Sequence, residues 1–248
     1  MVELKKGERI DDLQCKTVYG TELKIIQNPD WFCFGIDAVL LSDFAEVKKG
    51  DEIIDLGTGT GIIPILLTSK TYAKHIDAVE LQKEVAEMAK RSVEMNGLDN
   101  MISIINSDIV GYKSEKIYDC VICNPPYKAK NSGIINSEDN LIISRHEIYC
   151  SFSDVAKTAS KLLKYQGKFF LVHRPERLVD IIYEMRINKI EPKKIRYVQS
   201  YSGKKPVLVL IEGRKCGNPF LKTEPPLVIY NSDGSYTNEI LKIYKIKN

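Results

Sequence analysis

The 248-residue chain has few of the residues that build metal sites, and it has no long apolar run. Only three histidines occur, His75, His146 and His173, and none lies at zinc-ligand spacing from a cysteine pair. The six cysteines are scattered, which is typical of reduced thiols. No stretch approaches the roughly 20 apolar residues of a membrane-spanning helix. We therefore expect neither a metal centre nor a membrane-spanning protein.

Cys120 and Cys123 form the one C-x-x-C pair of the sequence. They fall within the apolar run 118–123, which predicts a buried strand. Side chains three residues apart on a strand point to opposite faces of the sheet, so these two thiols cannot bind one ion together.

The charge balance and the first residues set further limits. The formal net charge is +3, which is compatible with a nucleic-acid partner but does not require one. Residues 1–9 contain no apolar stretch of the kind found in secretory signals, so we expect a cytoplasmic location. The composition, 44% apolar and 28% charged, is that of a globular protein and leaves the oligomeric state open.

The order of apolar patterns predicts an α/β fold. From residue 52 onward, short apolar runs that predict strands alternate with amphipathic segments that predict helices. Such alternation gives a mostly parallel twisted sheet with helices on both faces. Two late strands, 194–199 and 206–212, lie too close in sequence for a crossover helix, so the last strand should run antiparallel. The other predicted strands are 52–56, 75–80, 102–105, 118–123 and 168–172, and the predicted helices are 36–45, 62–69, 82–96, 152–164, 175–187 and part of 235–246.

The chain divides at about residue 30. Residues 1–30 predict a β-hairpin-like extension, because polar and apolar residues alternate on both sides of a Tyr19-Gly20 turn. We expect residues 31–248 to form a single domain with a C-terminal extension from about residue 214. The polar segment 128–149 has the features of a functional lid or of a disordered loop.

A glycine-rich loop, Asp55-Leu56-Gly57-Thr58-Gly59-Thr60-Gly61, follows the first strand of the predicted sheet. Glycines at this place allow the backbone to bend sharply and to approach a ligand closely. The spacing differs from the G-x-G-x-x-G of dinucleotide sites, and Asp55 would repel a pyrophosphate. The chain also lacks a P-loop and a G-x-S-x-G nucleophile elbow. The loop therefore favours a ligand with positive charges, such as an ammonium and a sulfonium.

Acidic residues follow the next two strands. Glu80 ends the second strand, where a carboxylate can accept both hydroxyls of a ribose. Asp108 follows the third strand and is placed to accept from an adenine amino group. Each carboxylate alone is more often a helix cap or a solvated loop residue. Because the carboxyl ends of parallel strands meet at one edge, we expect both to lie near Asp55.

Asn124-Pro125-Pro126-Tyr127 follows the fourth strand. Two prolines cannot continue a sheet ladder, so the chain leaves the sheet in a rigid turn. This turn presents an amide side chain, carbonyl groups and one aromatic ring. An exocyclic amine on a flat ring needs such acceptors for its hydrogens and a face to stack on. These four residues are the candidate catalytic residues, and an ordinary proline-rich turn is the alternative.

The order of these motifs, from Phe34 to Glu212, resembles the Rossmann-like class I methyltransferases that use S-adenosylmethionine. The Asn-Pro-Pro-Tyr turn is similar to the catalytic motif of amino-methyltransferases that act on adenine N6. A narrower resemblance, to the bacterial tRNA1(Val) adenine N6-methyltransferase family, implies that the target is the adenine just 3′ of the anticodon in tRNA. This narrower resemblance rests on residues 34–41, 124–127, 145–147, 174–178 and 225–230.

The resemblance also implies roles for individual residues. Tyr127 would stack on the target adenine while Asn124 and Pro125 accept its N6 hydrogens. Asp37 would approach the methionine end of the cofactor or, alternatively, cap a helix. The expected cofactor-binding residues are Phe34, Gly35, Asp37, Asp55, Gly57, Thr58, Gly59, Gly61, Glu80, Asp108 and Asn124. The candidate RNA-binding residues are Lys128, Lys130, Arg145, Arg174 and Arg177, although the last two also suit helix-surface ion pairs.

Several functions remain open from the sequence. The same chemistry acts on DNA adenine, on guanine N2 of rRNA and on protein glutamine in related methyltransferases. A DNA enzyme usually needs a target-recognition domain, for which the chain has no room, and the glutamine methylases usually begin with a helical domain. A non-catalytic module that binds RNA or S-adenosylmethionine is a further alternative, and a nicotinamide oxidoreductase is a more distant one.

Overall fold

A computed structural model describes residues 3–18, 20–30, 33–125 and 151–244. In chain order the elements are β1 Arg9–Lys16, β2 Glu22–Gln27, α1 Ile36–Phe44, β3 Glu52–Leu56, α2 Ile62–Leu67, β4 His75–Glu80, α3 Lys83–Met95, β5 Ile102–Asn106, β6 Tyr118–Cys123, α4 Phe152–Leu162, β7 Leu163–His173, a 3-10 turn Pro175–Arg177, α5 Leu178–Ile187, β8 Ile190–Tyr201, β9 Pro206–Lys215, β10 Lys222–Tyr230 and α6 Asn238–Ile243. Each predicted strand and helix is present, with ends that differ by a few residues. The predicted α/β class is confirmed.

The central sheet has eight strands in the order β10-β8-β9-β7-β6-β3-β4-β5. β9 runs antiparallel to β7 and β8, and all other neighbouring strands are parallel. The predicted antiparallel pairing of the two late strands is confirmed. All strands except β9 therefore have their carboxyl ends at the same edge of the sheet, which we call the carboxyl edge.

The structure adds one strand that the sequence patterns did not predict. β10 pairs in parallel with β8 at the end of the sheet, and the register shifts between Glu224 and Leu227. Pro225 and Pro226 lie at this shift, and neither donates a backbone hydrogen bond. An edge strand tolerates this loss because only one of its sides is paired.

Helices cover both faces of the sheet. One core cluster joins α1 and α2 to one face and contains Leu40, Ile63 and Cys120. The other cluster joins α4 to the opposite face and contains Val155 and Cys123. The two thiols of the C-x-x-C pair thus lie on opposite faces, as the strand geometry predicted.

The N-terminal hairpin forms its own two-stranded antiparallel sheet and packs on α3. The side-chain amide of Asn96 hydrogen-bonds to the unpaired side of β2. Its Oδ1 accepts from Lys24 N at 2.9 Å and its Nδ2 donates to Lys24 O at 2.7 Å. Ile26 N also donates to Ser92 Oγ at 3.0 Å. These side-chain bonds satisfy backbone groups of β2 that have no strand partner.

Within the ranges given above, no helix combines the length and the apolar character needed to cross a membrane.

Candidate cofactor and catalytic site

The segments singled out in the sequence begin at neighbouring strand tips. In the parallel register, Leu56 of β3 pairs with Val79 of β4 and with Cys123 of β6, and Glu80 pairs with Asn106 of β5. The glycine loop, Glu80, Asp108 and Asn124 therefore follow four adjacent strands at the carboxyl edge. The strand order reverses between β3 and β6, and open α/β sheets bind ligands at such a switch point.

The glycine loop needs its glycines. Gly57, Gly59 and Gly61 have φ angles of 77°, 57° and 84°, in the left-handed region that favours glycine. The backbone amides of Gly57 and Thr58 both donate to the Val79 carbonyl at 2.9 Å. This shared acceptor holds the start of the loop against the end of β4.

Glu80 fixes the same loop with its side chain. It is only 1% exposed. Its Oε2 accepts from Gly59 N at 3.0 Å and its Oε1 accepts from Gln82 N at 2.8 Å. Because each carboxylate oxygen can accept more than one hydrogen bond, Glu80 can still receive ribose hydroxyls.

Asp55 is a fully buried carboxylate, 0% exposed, and neither of its oxygens has a hydrogen-bond partner among the described residues. Burial raises the pKa of Asp55 to about 7, and the negative charge of Glu80 adds to this rise. The nearby Thr58 hydroxyl opposes the rise in part, although it lies outside hydrogen-bonding geometry. The hydroxyls of Thr58 and Thr60 are also buried and have no hydrogen-bond partner within the described part of the chain.

These orphaned polar groups fit S-adenosylmethionine. Burying a carboxylate without a partner is unfavourable, and a cationic ligand removes that penalty. An ammonium group near Asp55 is therefore the chemistry that this site favours. Asp108 is exposed after β5, where its Oδ1 accepts from Val110 N at 2.8 Å.

The segment that leads into α1 contributes the remaining predicted cofactor residues. Phe34 N donates to Gln27 Oε1 at 2.9 Å, which ties this segment to the hairpin. Asp37 Oδ1 accepts from Ala38 N at 2.9 Å. A Cβ atom on Gly35 would lie 2.7 Å from this oxygen, so a side chain at this position would require the Asp37 carboxylate to move. Asp37 thus contacts the start of its own helix, and its approach to the cofactor stays a prediction.

Asn124 and Pro125 follow β6 directly. Asn124 is half-buried and Pro125 is buried. The rest of the predicted catalytic and RNA-binding segment lies outside the described residues, namely Pro126, Tyr127, Lys128, Lys130 and Arg145.

His173 ends β7, the strand beside β6, and no sequence pattern predicted a role for it. It is buried against Phe152, with ring centroids 6.4 Å apart in an edge-to-face arrangement. Burial, assisted by the charge of Arg177, lowers the pKa of His173 to about 4, so the ring is neutral at physiological pH. Its Nδ1 accepts from Arg174 N at 2.8 Å, which places the proton on Nε2. A polar residue at the end of a predicted strand was the signal available in the sequence.

The two arginines after β7 have partners within the protein. Arg177 Nε forms an ion pair with Asp180 at 2.8 Å, three residues along the chain, which is the helix-surface pairing that the sequence left open. Arg174 is exposed, and its Nη1 donates to Val207 O at 3.2 Å. RNA binding by either residue stays a prediction. Among the residues that the structure describes, no group of His, Cys, Asp and Glu could hold a metal ion.

Comparisons with known proteins agree with this geometry. The model of the methyltransferase small domain family matches residues 22–191. The tRNA1(Val) (adenine(37)-N6)-methyltransferase of Histophilus somni (strain 129Pt) is 30% identical over 212 residues, which are 83% of this chain and 85% of the relative. The protein of the same name from Aliivibrio salmonicida is 28% identical, over 84% of this chain and 86% of its own length.

Solved structures show the same fold. A predicted O-methyltransferase from Agrobacterium tumefaciens superposes with a TM-score of 0.67 at 22% identity, covering 84% of this chain and 95% of that one. The 16S rRNA N2 G1207 methyltransferase of T. thermophilus, solved with AdoMet and guanosine, superposes with a TM-score of 0.56 at 17% identity, covering 86% of this chain and 52% of that one.

The chain is thus a methyltransferase, and its cofactor is S-adenosylmethionine. The family model spans more than half of its length, and a relative at 30% identity covers most of it. The chain therefore belongs to the tRNA1(Val) (adenine(37)-N6)-methyltransferase family, within the methyltransferase small domain group.

Proposed function

We propose that this methyltransferase transfers a methyl group to N6 of adenine 37 in tRNA1(Val), in the cytoplasm. The observation that carries the proposal is the meeting of Asp55, Glu80, Asp108 and Asn124 at four neighbouring strand tips. Three carboxylates suited to the cofactor thereby lie beside a turn suited to an exocyclic amine. We assign residues 31–248 to the catalytic domain and the hairpin within residues 1–30 to an extension of it.

Each carboxylate binds a different part of the cofactor. Asp55 pairs with the ammonium, Glu80 accepts from the ribose hydroxyls and Asp108 accepts from the adenine amino group. S-adenosylmethionine supplies a methyl group that its sulfonium makes electrophilic. The other residues of the proposed cofactor set are Phe34, Gly35, Asp37, Gly57, Thr58, Gly59, Gly61 and Asn124.

Asn124 orients the amine of the target. Its side-chain oxygen and the carbonyl of Pro125 accept the two N6 hydrogens, which leaves the nitrogen lone pair directed away from them. These hydrogen bonds also shift electron density toward the nitrogen. Orientation and preorganised acceptors therefore provide most of the rate enhancement. The nitrogen becomes acidic once it forms its new bond to carbon, so it releases a proton without a strong base.

The target base must leave its stack to reach this turn. A nucleotide in an anticodon loop does so at low cost, whereas a base in a duplex must first break its pairing. Tyr127 would then cover one face of the adenine. A loop adenine in RNA is for this reason a better substrate than a base within duplex DNA.

The proposal is tested by the transfer of labelled methyl groups to unmodified tRNA, to rRNA and to DNA, followed by digestion to nucleosides. We expect N6-methyladenosine in the tRNA sample alone. Label in rRNA or DNA would move the activity to another substrate. Cofactor binding without any transfer to nucleic acid would contradict the proposal.

A further inference from the structure

Four tyrosines form a continuous row on the face of the sheet that α1 covers. The ring centroids of Tyr201 and Tyr230 lie 5.5 Å apart at 36°. Tyr230 and Tyr236 stack at 5.4 Å and 12°, and Tyr236 and Tyr244 stack at 5.8 Å and 17°. All three separations lie in the range of favourable aromatic pairs.

The row runs between the last strands of the sheet and the proposed cofactor site. Tyr201 and Tyr230 end β8 and β10 and pair with each other in register, so they lie at the carboxyl edge. At the other end, Tyr244 lines a cavity of about 240 Å³ together with Phe34. Burial is the main cause that raises the pKa of Tyr244 to about 12, and Asp37 contributes to that rise. The row thus reaches the segment Phe34–Asp37.

Tyr201 is the exposed end of the row. It remains 40% exposed. Tyr236 has a tyrosine on each side, whereas the one aromatic neighbour of Tyr201 in the described part of the chain is Tyr230. A planar group can therefore extend the row by stacking on Tyr201.

Cationic residues lie at the same edge of the sheet as this exposed ring. Lys204 and Lys205 lie in the turn between β8 and β9, are exposed, and form no ion pair with any residue that the structure describes. The turn is fixed to the strand end, since Lys204 N donates to Tyr201 O at 3.1 Å and Gln199 Nε2 donates to Lys204 O at 2.7 Å. Arg174 is held on the same edge through its bond to the carbonyl of Val207, at the start of β9.

Carboxylates also lie on this side of the protein. Glu176 is exposed in the 3-10 turn that follows Arg174. Asp233 follows Tyr230 in the next turn, where its Oδ1 accepts from Ser235 N at 2.9 Å and from Ser235 Oγ at 2.6 Å. The three cationic side chains of Lys204, Lys205 and Arg174 thus outnumber the carboxylates of Glu176 and Asp233, and Asp233 already has hydrogen-bond partners. The charge of this edge is suited to a polyanion.

We propose that Tyr201, Lys204, Lys205 and Arg174 form a nucleotide platform that holds an unpaired RNA base and its phosphates at the same sheet edge as the catalytic turn. A base stacks on Tyr201, and the three cations contact the backbone phosphates. Aromatic stacking and phosphate contacts are the usual combination for single-stranded nucleic acid. This inference rests on the proposed RNA substrate and names the surface that receives its loop.

The stacking contact is tested with Tyr201→Ala and a matched control, Tyr165→Ala. Tyr165 is 77% exposed but lies near the amino end of β7, at the opposite edge of the sheet. We expect Tyr201→Ala to raise KM for tRNA by about tenfold, with most of the loss in KM rather than in kcat. Tyr201→Phe should restore most of the affinity because it keeps the ring. Equal KM values for Tyr201→Ala and Tyr165→Ala would overturn the stacking role.

The phosphate contacts are tested with the double variant Lys204→Ala/Lys205→Ala and the control Lys48→Ala/Lys49→Ala. The control removes the same charge from the turn before β3, at the amino edge. Binding of an anticodon stem-loop is measured by fluorescence anisotropy between about 50 and 200 mM salt. We expect the slope of log K against log salt to become shallower by about 1.4–1.8 in the first variant, which loses two phosphate contacts, and to stay unchanged in the second.

The outcomes separate this inference from the proposed function. If the wild-type protein methylates tRNA and the platform variants match their controls in KM and in stem-loop affinity, the platform is overturned and the proposed function stands. If the wild-type protein methylates no tRNA but the platform variants still lose stem-loop affinity, the platform is supported and the proposed activity is contradicted. The platform would be overturned if the wild-type protein bound the stem-loop no more tightly than the platform variants do. It would also be overturned if the protein bound an acidic peptide more tightly than the stem-loop.

Discussion

Glu80 Oε2 accepts a hydrogen bond from Gly59 N at 3.0 Å, and this bond joins the tip of β4 to the glycine loop after β3. The second oxygen of the same carboxylate accepts from Gln82 N at 2.8 Å. One buried side chain therefore shapes the loop and also lies where the ribose of the cofactor is expected. Its charge acts on Asp55 as well, since it helps to raise the pKa of that carboxyl group.

Removing this carboxylate should weaken cofactor binding through the shape of the loop. In Glu80→Ala the amides of Gly59 and Gln82 lose their acceptor, and hydrogen bonds to a charged group contribute about 1.5–3 kcal/mol each. We expect the affinity for S-adenosylmethionine to fall about tenfold or more, measured by calorimetry, and hydrogen exchange at Gly59 to become faster. Glu84→Ala, an exposed position in the first turn of α3, is the control. Unchanged exchange at Gly59 would contradict the role given to Glu80.

Asp55 should make cofactor binding depend on pH. Its pKa of about 7 lies well above the usual carboxyl value because of burial, so the group is largely protonated at pH 6. Only the ionised form pairs with an ammonium. We therefore expect the affinity for S-adenosylmethionine to rise between about pH 5.5 and 7.5, and Asp55→Asn to bind more weakly and with less pH dependence. An affinity profile in Asp55→Asn identical to that of the wild type would contradict this pairing.

The same substitution should stabilise the ligand-free protein at higher pH. A carboxyl group whose pKa is raised in the folded state favours folding fully below its unfolded pKa, and that contribution is lost as pH rises toward 7. Asp55→Asn removes the buried charge, so its gain in melting temperature over the wild type should be larger at pH 8 than at pH 5. Thermal denaturation without ligand measures this difference. An equal gain in melting temperature at both pH values would show that folding does not raise the pKa of Asp55.

His173 should have the opposite effect on stability. Its pKa is lowered to about 4 by burial, so the unfolded chain binds a proton before the folded chain does. The stabilisation is therefore present above about pH 6.5 and is lost as pH falls toward 4. His173→Asn keeps an acceptor for the amide of Arg174 but does not titrate. We expect the variant to show a smaller loss of unfolding free energy between pH 7 and 5 in urea denaturation, and an equal loss would contradict the assignment.

The oxygen of Asn124 should matter for catalysis more than for cofactor binding. Asn124→Ala removes one acceptor for the N6 hydrogens, and loss of one preorganised hydrogen-bond partner typically lowers kcat by about 10²–10³-fold. Asn124→Asp keeps an acceptor oxygen and should retain more activity than the alanine variant. Because Asn124 also belongs to the proposed cofactor set, both variants should lose some affinity for S-adenosylmethionine, but far less than they lose in kcat. Wild-type turnover in Asn124→Ala would exclude the proposed role.

The sequence predicted the parts of the fold that depend on local pattern. The apolar runs at 52–56 and 118–123 match β3 and β6, because strands buried on both faces are nearly continuous in apolar residues. Parallel pairing then brings Asp55, Glu80 and Asn124 to one edge without any further information. That step needs only the handedness and direction of β-α-β connections.

The features that the sequence did not predict depend on contacts between distant parts of the chain. β10 carries Pro225 and Pro226, which argue against a strand until its place at the sheet edge is known. The row from Tyr201 to Tyr244 joins two strand ends, a turn and the residue after α6, so no periodic pattern marks it. The hydrogen bond from Gly59 to Glu80 likewise becomes visible only when the two strand tips meet.

The most direct test of the central claim is methyl transfer to a tRNA1(Val) transcript and to the same transcript with guanine in place of adenine 37. Purified wild-type protein is incubated with labelled S-adenosylmethionine, and the RNA is digested to nucleosides. We predict N6-methyladenosine from the first transcript and none from the second. Equal labelling of both transcripts, or no labelling of either by protein that binds S-adenosylmethionine, would contradict the proposed activity.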